Sequence, residues 1–112
     1  MGRLPGIFKE NILELLRPLN DAAFAGQTAS YTGTAGSTTG WPAGPQGVLV
    51  TCTTAAYVRV GEAVTATTAD TYVPANTPIP FFVPRGTGAP WRVSAIQAVS
   101  GGTVYAKPIN KE

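Results

Sequence analysis

The side chains able to do chemistry in this chain of 112 residues are few and scattered. There is no histidine, which removes the commonest general base and the commonest metal ligand together. Cys52 is the only thiol, so neither an intrachain disulfide nor a cysteine-built zinc site can form. Flanked by Thr51 and Thr53, it reads as a small buried apolar residue on a strand, in keeping with assembly in a reducing cytoplasm. The carboxylates divide into Glu10, Glu14 and Asp21 at the helical end, Glu62 and Asp70 in loops, and Glu112 at the tail. A glycosidase-type pair would need two of them facing across a cleft, and no spacing here suggests one. Gly86-Thr87-Gly88 is not followed by a helical pattern, and no Gly-Lys-Ser/Thr occurs, so a phosphate loop is not expected. Arg59, Arg85 and Arg92 with Trp91 come nearest to a basic, aromatic patch. Arg59 and Arg92, however, read as exposed strand positions, and a net charge of +2 lacks the clustering that nucleic acid requires. The expectation is a protein that is not an enzyme, with no cofactor, no metal and no nucleic-acid partner.

The elements that would position these residues fall into three stretches: 1–24, 25–47 and 48–112. In the first, Phe8, Ile12, Leu15, Leu16 and Leu19 recur at helical spacing, which predicts a short amphipathic helix near 6–17. Pro5 suits its start, and Pro18 disfavours helical backbone at Arg17. Lys9, Glu10 and Asn11 interrupt the apolar character too early for a signal peptide, and no apolar run approaches the ~20 residues of a membrane span. A helix of about a dozen residues is marginal by itself in water. It must dock, either on its own domain or on a neighbour.

From Ala22 to Val58 there is no Lys, Arg, Asp or Glu. The Gly, Thr and Pro of residues 25–47 argue against a helix or a central strand and predict an extended arm. Tyr31 and Trp41 are its aromatic residues and its expected anchors on neighbouring chains, together with Phe8, Ile12, Leu15 and Leu16.

Residues 48–112 read as short strands. Val48–Thr54 is rich in Val and Thr, and Ala56, Val58 and Val60 alternate with Tyr57 and Arg59. Residues 63–68 form a weaker strand candidate, and 72–78 a turn in which Asn76 can adopt positive φ. Pro78, Pro80 and Pro84 confine Ile79–Val83 to a sheet edge. Gly101-Gly102 between alternating runs predicts a tight hairpin joining Trp91–Val99 to Thr103–Ile109. The fold class expected is mainly β: a small antiparallel sandwich or barrel with the N-terminal helix and the extended arm.

The order Tyr57-Val58-Arg59-Val60-Gly61, Tyr72 to Pro78, Phe82-Val83-Pro84-Arg85-Gly86 and Val93 to Tyr105 resembles small β-rich structural proteins of tailed bacteriophages. The resemblance covers about residues 57–109 and rests on apolar and glycine-bearing motifs. It implies a virion component, assembled in the host cytoplasm, that decorates or cements the shell as a homo-oligomer in contact with the major capsid protein or other virion proteins. No membrane partner is expected. The alternative is a head–tail or tail-fibre component, or an adhesin-like module that meets a host glycan with an exposed shelf of Trp91 and Tyr105.

Overall fold

Alternation of small apolar residues with Thr, Tyr and Arg sets the centre of the fold, because successive side chains of a strand point to opposite faces. The computed structural model describes residues 21–111. A short 3-10 turn at Ala22–Phe24 leads into β1 (Gln27–Tyr31) and β2 (Gly36–Ser37). Then come β3 (Pro45–Cys52), β4 (Ala56–Gly61), β5 (Thr71–Val73), β6 (Ile79–Phe82), β7 (Arg92–Gln97) and β8 (Gly102–Lys111). They form two four-stranded sheets in the orders β1-β8-β3-β6 and β2-β7-β4-β5, and every pairing is antiparallel.

The core lies between the sheets. Val48, Val50 and Cys52 of β3, with Val104 and Ala106 of β8, face Ala56, Val58 and Val60 of β4 and Val93 and Ala95 of β7. Each fully buried valine contributes roughly 1.5–3 kcal/mol of gross apolar burial. β6 is an edge strand, as its prolines require. The N–H of Val83 points inward to the Gln46 carbonyl at 2.9 Å. Pro80 and Pro84 therefore occupy the opposite parity, where an N–H would point to solvent. That arrangement removes donors from the exposed edge, a standard guard against edge-to-edge pairing. Asn76 adopts a φ of 56°, as its place in the turn suggests.

Three expectations are corrected. Residues 25–47 do not form an arm. β1 pairs with β8, β2 pairs with β7, and Tyr31 and Trp41 are 2% and 1% exposed within the chain itself. They are core residues and cannot anchor on a neighbour. Much of the stretch stays exposed, and it is held by strand pairing and by Tyr31, Thr38 and Trp41, which turn inward.

The Gly101-Gly102 hairpin does not form either. A type I′ turn needs positive φ at both central residues, and neither glycine has it. β7 lies between β2 and β4 in one sheet and β8 between β1 and β3 in the other, so 98–101 crosses between sheets. The Ala98 N–H bonds to the Ala55 carbonyl, tying this crossing to the parallel one between β3 and β4. Residues 63–68 are a loop laid over the outer face of the second sheet, where Ala66 is buried and its N–H meets the Ser94 hydroxyl at 2.9 Å. The predicted helix, with Phe8, Ile12, Leu15 and Leu16, lies outside the described residues.

Candidate functional site

At one end of the sandwich the two tryptophans form an isolated antiparallel bridge. Their backbones exchange N–H···O bonds of 2.9 and 3.0 Å, and their rings are tilted by 34° at 4.8 Å. Each indole N–H has a carbonyl: Trp41 Nε1 donates to Ala25 at 2.7 Å and Trp91 Nε1 to Pro42 at 3.0 Å. The Gln27 amide clamps the same turn, accepting from the Gly40 N–H and donating to the Gly40 carbonyl, both at 2.8 Å. With Trp91 only 2% exposed, it cannot form a shelf with Tyr105. This correction has a simple cause: a large indole whose N–H is satisfied internally is worth more in the core than on the surface.

Beside the tryptophans opens a cleft of about 680 Å³ between residues 43–46 and the loop 83–89. Glu62 closes that loop. One carboxylate oxygen accepts from the Thr87 N–H at 2.8 Å and the other from the Thr87 hydroxyl at 2.9 Å. Gly86 makes room for it, since a Cβ at that position would collide with the Glu62 carboxylate. The Gly86-Thr87-Gly88 loop thus already holds an anion of the protein's own, and a phosphate there would meet like charge.

The remaining polar groups serve the scaffold in the same way. Asp70 accepts from the Thr67 N–H at 2.8 Å, and Arg92 Nε donates to the Val64 carbonyl at 2.9 Å. Ser94, which sequence reasoning did not single out, is fully buried and takes hydrogen bonds from Ser37 and Ala66. With no imidazole in the chain, it has none of the base support a nucleophilic serine needs. Burial pushes the Cys52 thiol up, opposed by a smaller contribution from its hydrogen bond with Tyr31. A thiol held in its protonated form is a poor nucleophile. Among the described residues no cluster of three Cys, Asp or Glu could hold a metal ion.

Among the described residues the large apolar side chains left exposed are Val99 and three aromatics. On the outer face of the first sheet, Tyr105 is 52% exposed over a shallow groove with Leu49 and Thr51, and Phe82 on edge strand β6 is 84% exposed. On the outer face of the second sheet, Tyr72 is 52% exposed and meets Tyr57 edge-on at 5.7 Å. No signal in the sequence separates these residues from Tyr31 and Trp41; only pairing and parity do so. No family model matches the chain, and no curated protein matches it.

Proposed function

We propose that this is a structural virion protein that decorates or cements a bacteriophage shell, binding as a homo-oligomer through contacts with the capsid and its own copies. The observation that carries the reading is the placement of exposed aromatics on both outer faces of a rigid sandwich: Tyr72 on one, Tyr105 and Phe82 on the other. Large, stiff, exposed rings lose little entropy on contact and are favoured anchors of protein interfaces. A body that offers them on two sides suits a unit seated among several neighbours. The polar side chains described above, already committed to the scaffold, complement such a role. The head–tail or adhesin alternative loses its Trp91–Tyr105 shelf.

Purified protein mixed with phage shells that lack it should co-sediment with them. A variant carrying Tyr72→Ala and Tyr105→Ala should stay folded and bind at least about a hundredfold more weakly, as expected for two interface anchors. Unchanged binding by the variant, or failure of the native protein to co-sediment with shells, would overturn the reading.

A further inference from the structure

The loop 84–90 hangs from the body by one side chain. All of its residues are exposed. Its flanks are fixed: before it the Val83 N–H bonds to the Gln46 carbonyl, and after it Trp91 exchanges both backbone bonds with Trp41. Between those points, among the described residues, the loop makes two hydrogen bonds to the rest of the chain, and both end on the Glu62 carboxylate. The turn that carries Glu62 is stiff. Ala63 follows with a φ of 51°, a left-handed conformation that a residue with a Cβ adopts at a cost. Arg92 Nε braces the same turn by donating to the Val64 carbonyl at 2.9 Å. The loop, by contrast, is pliable in its middle. Pro84 and Pro90 fix φ at its ends, while Gly86 and Gly88 lie between them, and Gly88, at a φ of 91°, has open space around it.

We infer that loop 84–90 is a lid on the cleft beside the tryptophans, that Glu62 is its latch, and that release of the latch opens the cleft to the Trp91 ring. A stiff post holding a pliable loop at a single point is the arrangement a latch requires. Both bonds are charge-assisted, which makes them strong enough to set the closed position. They lie at an exposed site, where water competes for the carboxylate and for both donors, so the loop opens far more readily than the sheets unfold. Gly86 lets the backbone lie directly on the carboxylate when the lid is shut, since a Cβ there would collide with it. Opening has a local consequence. Trp91 lines the cleft and Trp41, the ring it packs against, does not. Release therefore uncovers one indole and leaves the other in place. It also presents the Thr87 N–H and hydroxyl to solvent and parts the wall containing Val83 and Pro84 from residues 43–46. The end of the sandwich thus has two surfaces, one with the cleft shut and one with it open. This inference does not depend on what the body binds.

Hydrogen exchange of the full-length protein, followed by NMR, provides the test. Relative to unstructured peptide rates, the Thr87 amide should be protected at least about tenfold and the Gly86 and Gly88 amides hardly at all. In Glu62→Ala the protection at Thr87 should disappear, and the Trp91 indole N–H should exchange faster while that of Trp41 keeps its rate. Strands β3 and β4 should stay as protected as in the native protein. Thr87→Val, which retains the backbone N–H bond and loses the hydroxyl one, should lie between the two. An amide at Thr87 no better protected than its neighbours in the native protein would overturn the inference, since there would be no latch. Unchanged exchange at Thr87 in Glu62→Ala would overturn it too, because something else would then hold the loop. So would joint loss of protection in β3, β4 and both indoles, which would make Glu62 a support of the whole sandwich.

Discussion

Two glycine- and proline-rich stretches of this protein, the first without charge and the second with Arg85 as its one charged residue, have opposite fates. Residues 25–47 are drawn into both sheets and bury Tyr31 and Trp41, whereas residues 79–90 form an edge and a loop that leave Phe82 in solvent. Composition does not distinguish them. Fixed hydrogen-bond partners for the aromatic side chains do. The Tyr31 hydroxyl donates to the Thr54 carbonyl at 2.6 Å and accepts from the Thr54 N–H at 3.2 Å, and both indoles are similarly held. Close backbone approach completes the first stretch. Gly36 passes so near the Ser30 carbonyl that a Cβ could not be fitted without a shift. Phe82 has no polar handle, and Pro80 and Pro84 deny its strand a further partner. A segment poor in charge is therefore neither arm nor core until its anchors are known.

The contrast can be broken most forcefully at Trp41. Trp41→Ala should destabilise the sandwich by about 3–5 kcal/mol in urea unfolding, since it removes the ring packed on Trp91 and leaves the Ala25 carbonyl without its donor. A loss under 1 kcal/mol would mean that this stretch is peripheral after all. Tyr31→Phe retains the ring and deletes only the hydroxyl. It should cost about 1–3 kcal/mol, because the Thr54 groups it serves are left unpaired. The same measurement on Phe82→Ala should move the unfolding of the sandwich by no more than about 0.5 kcal/mol, the range of exposed positions. Equal effects at Trp41 and Phe82 would erase the distinction drawn between the two stretches.

Part of this was legible without coordinates. The alternation in Ala56–Val60, the edge placement of Ile79–Phe82 and the positive φ of Asn76 follow from local rules: side-chain period, missing N–H groups, tolerance of left-handed backbone. The burial of Cys52 was readable too, from its neighbours. The roles of Tyr31, Trp41 and Trp91 were not, because each depends on a partner far along the chain, such as Ala25 for Trp41 or Pro42 for Trp91. The same holds for Gly101-Gly102, read as a hairpin because the local pattern permits one. Pairing of β7 with β2 and β4, and of β8 with β1 and β3, occupies both edges of each strand and leaves no edge for the two to share.

By itself, then, the order of residues determined that this chain would be built of short antiparallel strands, with prolines at an exposed edge and a small thiol inside. Tertiary structure alone decided which aromatics became core and which became surface. The reason is physical: strand periodicity sets on which face a side chain lies, but whether that face meets another sheet, a loop or water depends on long-range pairing that no short window of sequence contains.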